Sequence, residues 1–537
     1  MNCIALPAQT QHQMEDTTSQ SQTHYYFLYL WAVVSLAFAL AAYRRFLTAA
    51  RANGGLRLPP GPWQLPVIGS LHHLVGQLPH RAMRDLARRH GPVMLLQLGE
   101  LPTVVVSTPD AAREVMRTQD LTFASRPLTA SMRVLTNDGR DIAFAPYGEY
   151  WRQLRKIAVT ELLTARRVLS FRAIREEEVA AMLRQVGSAA TAARPVEMRA
   201  HLTALVSNAT FRAVMGDRCK QRDVFLRGVD EVMQLSTGFN PADMWPSWSW
   251  LAGRLSNDMR RAKECHATLY DMFGGIIEEH LERMEGGRDG NGEAMDLLDV
   301  LLKIHKDGGV DMVAIKAVIF DVFIAGSESS ATTLEWALAE LIKNPEAMKK
   351  ATAEVRQAFE AGGRVVEDRL GELTYLHLVI REVLRLHPPL PLLLPRLCRE
   401  PCKVLGFDVP RGTQVIVNAW ALGRDEQHWP DATEEFRPER FVAGTRAATV
   451  DFRGADFELL PFGAGRRMCP GIAFGLASVE LPLASLLRHF DWEAPDVSDP
   501  TEFDMTEAFG ATARRNANLL LHPSLRVPLP TPPAQGV

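Results

Sequence analysis

Near its C-terminal end the chain reads PFGAGRRMCPG from Pro461 to Gly471, one cysteine set among glycines, prolines and two arginines. Cys469 is followed by Pro470 and then by GIAFGLASVELPLASLLRHF, a helical pattern. Proline favours the first helical position, so the spacing predicts Cys469 at or beside a helix N-cap. The N–H groups of Gly471 and Ile472 and the helix dipole favour an anion there, and Arg466 and Arg467 add positive charge. Together these push the thiol toward thiolate. Gly463 and Gly465 let the backbone approach something large and flat. No second Cys or His stands at chelating spacing, so the thiolate suits a single axial position on a porphyrin iron. The same residues also suit an inert buried thiol or a redox nucleophile. GAGRRM mimics half of a dinucleotide-binding loop, but the third glycine is missing and DFELLP gives no convincing strand ahead of it.

Three other stretches could carry chemistry. In the long helical pattern Ala317 to Ile342, Gly326 costs about 1 kcal/mol relative to alanine. After it, Glu328, Ser329, Ser330, Thr332 and Thr333 interrupt an apolar run. Their hydroxyls can compete for backbone carbonyls and open the ladder to water; helix packing through small residues explains them equally well. In VIREVLRLHPP, Glu382 and Arg385 stand at i, i+3 beside an apolar stripe of Val379, Val383 and Leu386, which favours a solvated face. In YGEYWRQLRK, Trp151 and Arg155 share a helical face, as an ordinary surface pair would. Cys398 and Cys402 resemble a metal pair, but no second pair or His completes a zinc site; they read as structural.

The elements that must position these groups follow from length and patterning. The chain has 537 residues, 47% hydrophobic and 23% charged, with a formal net charge of −3. That charge argues against nucleic acid, whose binding needs a basic surplus. Six cysteines in such a length make no disulfide framework and point to a reducing compartment. Tyr25 to Tyr43 is uncharged and aromatic at its start, enough to span a hydrocarbon core of about 30 Å. Arg44, Arg45, Arg51 and Arg57 follow it, so the positive-inside rule places the bulk of the chain in the cytoplasm. The expected organisation is a lumenal segment 1–24, a transmembrane signal anchor 25–43, a basic, proline-rich hinge 44–69, a catalytic body 70–523 and a frayed tail 524–537. LPPGPWQLPVIG reads as a stiff extended spacer. The body is mainly α with a minor β region: MDLLDVLLKIHKD and PEAMKKATAEVRQAFEA are helical, while TVVVS (103–107) and TQVIVNAW (413–420) read as strands. Residues 284–296 form a polar glycine-rich loop. GFNPADMWPSWSWL (238–251) carries Trp245, Trp248 and Trp250, which suit either a membrane interface or a core.

The opening stretch fills every fixed position of Phe-x-x-Gly-x-Arg-x-Cys-x-Gly, at Phe462, Gly465, Arg467, Cys469 and Gly471. In this the chain resembles the cytochromes P-450, and in detail the plant microsomal A-type clan, from the PPGPW hinge to ANLLLHP near residue 523. The resemblance implies a haem (heme b) bound through Cys469, with Trp151, Arg155, Arg396 and Arg467 reaching its propionates. It implies a structural triad of Glu382, Arg385 and Arg440. It makes Glu328 and Ser329 the acid–alcohol pair that relays protons to dioxygen. Serine replaces the threonine usual at the second position, keeping the hydroxyl but losing the methyl that stiffens χ1.

By the same resemblance the substrate pocket draws on Ala325, Gly326, Leu392, Leu393, Leu394, Phe509 and Ala511, with residues 124–145 as a further edge. This lining implies a small lipophilic substrate. No complete nucleotide fingerprint occurs, so electrons must come from a partner, an NADPH–cytochrome reductase, with O2 as co-substrate and membrane lipid around the anchor. The expected function is a haem-thiolate monooxygenase of plant specialised metabolism at the endoplasmic reticulum membrane, acting on a terpenoid. Two alternatives stand beside it: a haem-thiolate isomerase or dehydratase needing no reductase, and a non-catalytic haem or lipid carrier.

Overall fold

The computed structural model describes residues 26, 29, 31–33, 35–36, 55–218, 221–236, 239–285, 296–360, 364–495, 497 and 499–529. Apolar residues at helical spacing build most of it. The helices that matter below are α1 Pro79–His90, α2 Glu149–Ile157, α3 Arg172–Thr191, α4 Met198–Met215, α5 Leu297–Lys306, α6 Met312–Lys343, α7 Pro345–Ala358, α8 Thr374–Leu386 and α9 Ile472–His489. Asp311 starts α6 by accepting the Ala314 N–H at 2.7 Å. From there α6 is apolar on nearly every side, and such a helix belongs in the interior. It packs against α4 and α9, and Phe320, Phe323, Leu334 and Trp336 are buried along it. Gly326 neither breaks nor opens α6, which fits the second of the two sequence readings, helix packing through small residues. The hydroxyls of Ser329 and Thr333 bond back to the carbonyls of Ala325 and Ser329 at 2.6 and 2.9 Å, and the helix stays continuous.

The β region is minor, as expected. Strands β1 Val93–Leu98, β2 Leu101–Val106, β3 Val196–Glu197, β4 Arg396–Leu397, β5 Cys402–Val404, β6 Phe407–Val409, β7 Gln414–Val417, β8 Phe490–Glu493 and β9 Leu520–Leu525 form three small sheets. The largest has the order β1-β2-β7-β4. β2 and β7 run parallel, with Thr103 opposite Gln414, and Arg396 of β4 faces Val415 of β7. β7 ends sooner than its apolar run suggests, because the Asn418 side chain accepts the Ala421 N–H and caps a short helix, Ala419–Leu422.

Several expected boundaries move. The proline-rich hinge is not a free spacer: Leu95 N–H donates to the Pro60 carbonyl at 2.8 Å, and Arg57 N–H to Asp408 at 2.7 Å. Gly61 is needed there, since a Cβ would lie 2.0 Å from the Leu95 carbonyl oxygen. The tail is ordered further than 523, because Leu525 pairs with Phe490 and Leu529 packs at Gly187. Residues 286–295 and 530–537 lie outside the described residues. Most of the anchor 25–43 does too, and its described positions, among them Tyr26 and Trp31, are helical and exposed. Among the described residues no helix is long and apolar enough to cross a membrane.

Candidate functional site

The cysteine loop is shaped by its backbone. Cys469 N–H donates to the Phe462 carbonyl at 3.0 Å, closing the stretch on itself, while the Phe462 ring packs at 5.5 Å from Phe452. Gly465 takes φ +69°, and a Cβ there would sit 2.2 Å from the Met116 carbonyl oxygen, so no larger residue fits. The helix after the cysteine starts later than expected. Gly471 is the N-cap and Ile472 the first residue of α9, so Pro470 precedes the helix. The Gly471 N–H still reaches the Cys469 sulfur.

The electrostatics correct the sequence reading. Burial pushes the Cys469 thiol up, and the Gly471 N–H and Arg155 only partly oppose this. Arg466 contributes little, because it is exposed and bonded to Asp120 through its N–H at 2.9 Å. Arg467 turns away to the carbonyls of Ala124 and Ala145, at 2.5 Å each. The cation that acts on the sulfur is Arg155 of α2.

Arg155 makes no hydrogen bond or ion pair to any described residue, although it is partly buried. Beside it stand three buried arginines. Arg396 donates to the Ala464 carbonyl at 2.8 Å and meets Asp120 at 3.3 Å. Arg126 donates to the carbonyls of Ala143, Leu394 and Pro395 at 2.9, 2.6 and 3.0 Å. Burial, then mutual repulsion, lowers Arg126 and Arg467, the latter to about 9. Arg126 was not singled out by the sequence; its only signal is an arginine inside a loop otherwise read as a pocket edge. Trp151 does not supply a donor to this cluster. Its indole N–H is taken by the Ile142 carbonyl at 3.0 Å, and its ring instead carries the Arg467 guanidinium at 4.2 Å.

On α6, Ala325 is exposed and Ser329 half-buried although the helix is mostly interior, so the face that carries both is open. Glu328, next in sequence, points elsewhere. Its Oε1 accepts from Arg199 at 3.0 Å, Thr512 at 3.1 Å and Thr332 at 3.3 Å, with Arg514 at 3.8 Å. The expected acid–alcohol pair therefore has its acid clamped by Arg199 and no direct bond to Ser329. Arg199 also holds Glu335 at 2.6 Å, and these two carboxylates keep it above its ordinary value although burial opposes this. Of the expected pocket residues, Leu393, Leu394 and Ala511 are half-buried, and Leu393 takes φ +52°. Leu392 instead packs into the cluster of Met83 and Leu96, and Phe509 is exposed beside Phe239. Gly326 is not on this open face. A Cβ there would meet Phe474 at 3.4 Å and Thr210 at 3.6 Å, in the packing of α6 on α4 and α9.

Glu382 and Arg385 are fully buried and not on a solvated face. Arg385 grips the Glu382 carboxylate with two bonds, at 2.7 and 2.8 Å, and Arg440 adds a third at 2.8 Å.

Beside the arginine cluster, the buried Asp141 and the half-buried Asp321 lie side by side. Asp321 accepts the N–H groups of Ile142 and Ala143, at 2.6 and 3.1 Å, while Asp141 Oδ2 has no hydrogen-bond partner. Burial raises both, Asp141 from 3.8 to about 6, and the Asp141 carboxylate raises Asp321 further. A carboxyl raised by folding stabilises the protein below its unfolded value, and that contribution is lost as pH rises through the folded one. Asp321→Asn keeps an acceptor and removes a charge. The variant should melt above the wild type at pH 7.5, with the gap closing toward pH 5. Melting curves across this range check it.

Four converging arginines, one without a protein partner and the others against carbonyls, match a ligand carrying two carboxylates. A half-buried sulfur supplied with an N–H and a cation matches an axial thiolate. The residues fit a haem.

Comparison with known proteins agrees. Residues 59–520 match the family model described as Cytochrome P-450. Desmethyl-deoxy-podophyllotoxin synthase of Sinopodophyllum hexandrum is 46% identical, across 88% of this chain and 93% of its own length. Zealexin A1 synthase of Zea mays is 45% identical, across 90% and 96%. Premnaspirodiene oxygenase of Hyoscyamus muticus is 46% identical, across 87% and 92%. Among solved structures, a zebra fish protein of the same family, determined with abiraterone, superposes with TM-score 0.69 at 26% identity, covering 83% of this chain and 99% of that one.

Proposed function

The chain belongs to the cytochrome P-450 family, and on that premise we propose that it hydroxylates a small terpenoid-type hydrocarbon of plant specialised metabolism. It is a haem-thiolate monooxygenase. The observation that carries this reading is the half-buried Cys469 sulfur, met by the Gly471 N–H and Arg155. Haem iron held through that sulfur supplies reductive activation of dioxygen, the thiolate favouring O–O cleavage.

The chain's own residues do the rest. Arg155, Arg396, Arg467 and Arg126 would hold the propionates and fix the plane of the group. Ala325 and the half-buried Leu393, Leu394 and Ala511 offer apolar surface and few polar handles, which suits a lipophilic substrate and excludes water. Ser329 can hand on its hydroxyl proton only by leaving the Ala325 carbonyl, to which it donates at 2.6 Å. Glu328 can pass protons only by leaving Arg199. Names such as premnaspirodiene oxygenase and zealexin A1 synthase, on relatives of this similarity, support a terpenoid substrate. Microsomal co-expression with an NADPH–cytochrome reductase, fed a lipophilic library including sesquiterpene hydrocarbons, tests the reading. A product heavier by one oxygen atom, formed only with NADPH, supports it; reductase-independent rearrangement overturns it.

Ser329 gives a sharper prediction. Ser329→Ala should leave NADPH consumption near the wild-type rate while product falls several-fold and hydrogen peroxide rises to match. Stoichiometry of NADPH, product and peroxide checks it.

For location we propose the cytoplasmic face of the endoplasmic reticulum membrane, through a single-pass anchor at 25–43. An exposed apolar patch supports this. Trp248 and Trp250 are 42% and 65% exposed, and Trp63 and Val75 63% and 77%. Trp245 ties this loop to the hinge, its indole N–H donating to the Val67 carbonyl at 3.1 Å. In a chain lacking residues 1–43, Trp248→Ser with Trp250→Ser should lower partition onto lipid vesicles several-fold, as read by co-sedimentation.

A further inference from the structure

Two sulfurs outside the haem site stand close together. Cys398 and Cys402 flank the turn formed by Arg399, Glu400 and Pro401, and their Sγ atoms are 4.0 Å apart. Cys398 is the fixed partner: it is buried, its N–H donates to the Thr413 carbonyl at 2.9 Å, and its carbonyl accepts from Gly412 at 2.8 Å. Cys402 opens β5, opposite Val409, and is half-buried. Cys398 also borders a cleft of ≈ 800 Å³ that Ser125, Arg126, Arg399 and Gly412 help to line, so a small solute can reach its vicinity. The arrangement does not serve a metal. Among the described residues the one cluster of metal-ligand type is His280, Asp296 and Asp299, elsewhere in the chain.

We propose that Cys398 and Cys402 are a redox couple, closing to an intrachain disulfide under hydrogen peroxide and reopening with thiol. A disulfide bond is about 2.05 Å long, so the sulfurs must approach by roughly 2 Å. Rotation of the half-exposed Cys402 side chain supplies a movement of that order. The two thiols are unequal: the hydrogen bond from Cys402 lowers Cys398, and the same bond raises Cys402. An attacking sulfur thus sits beside a resolving one. The Cys398 sulfur attacks one peroxide oxygen, an S–O bond forms as O–O breaks, and the departing hydroxide takes a proton to become water. The Cys402 sulfur then displaces hydroxide from the sulfenic acid, forming S–S and releasing a second water. Two thiols lose two electrons and two protons, and one peroxide becomes two waters. The bridge would lock the end of β4 two residues beyond Arg396, which braces the cysteine loop through the Ala464 carbonyl.

The test uses the full-length haem-loaded protein with one equivalent of hydrogen peroxide, N-ethylmaleimide trapping and trypsin. Trypsin cuts after Arg396, Arg399 and Lys403, so reduced protein yields alkylated Leu397–Arg399 and Glu400–Lys403 as separate peptides. The expected result is loss of both and a single linked peptide, lighter than the two unmodified peptides by two hydrogens, with dithiothreitol restoring the pair. In Cys402→Ser the linked peptide should vanish and Cys398 should react with dimedone, the reagent for sulfenic acid. Unchanged alkylation of both wild-type peptides overturns the proposal. So does over-oxidation of either cysteine with no linked peptide.

Discussion

Cys469→Ser should abolish NADPH-dependent turnover and remove the thiolate-type Soret maximum of the reduced, carbon monoxide-treated protein, while the far-ultraviolet helical signal is kept. The site explains why one atom matters so much. Burial already pushes the thiol up, with only the Gly471 N–H and Arg155 opposing it. A serine hydroxyl in the same place meets the same desolvation from a far higher starting value and stays protonated. A coordinating thiol, in contrast, is deprotonated outright by its metal. Loading of iron therefore releases a proton, and Arg155 lowers the cost of holding the resulting anion. Replacing Arg155 with leucine should weaken retention of the group without removing the thiolate band, separating the ligand from its counter-charge. A Cys469→Ser protein that kept the thiolate-type maximum would overturn the assignment of the ligand.

How much of this was legible in the sequence depended on whether a feature is local. The cysteine loop could be read because Gly465, Arg467, Cys469 and Gly471 act within a few residues of one another. The main helices and the sheet were visible in their periodicity. Charge was harder to place. Arg466 and Arg467 stand next to the cysteine in sequence, yet Asp120 engages one and backbone carbonyls of residues 124–145 engage the other. The effective cation comes from α2, over three hundred positions away. Arg126 was missed for the same reason, since nothing within its own loop says that Arg396 and Arg467 will lie beside it. Glu328 shows the converse. It adjoins Ser329 in sequence, but a helix turns successive side chains about 100° apart, and α4 supplies an arginine that draws the acid aside.

Spacing alone also misread Glu382 and Arg385. At i, i+3 a carboxylate and a guanidinium suit a solvated face, as Arg369 and Glu372 show in this same chain, where the pair is exposed. Glu382 differs because everything around it is committed. Besides Arg385 and Arg440, its Oε1 accepts the Arg437 N–H at 2.9 Å. The remaining donors of Arg385 go to the carbonyls of Gly423, Thr433 and Glu435, and those of Arg440 to Asp431, Ala432 and Glu435. The triad thus stitches α8 to the irregular segment that leads into the cysteine loop. Removing the carboxylate leaves two buried guanidinium charges sharing one site, at about 3–5 kcal/mol. A domain with a total stability of about 5–15 kcal/mol has little room for that loss. Glu382→Ala should therefore yield no haem-loaded protein, measured as the haem-to-protein ratio after purification, whereas Glu372→Ala should load normally. Glu382→Gln retains acceptors for part of the network but not the charge, and its loading should fall between the two. Full loading of Glu382→Ala would show that the carbonyl cages hold both arginines without their anion, and that the segment before the cysteine loop folds independently of α8.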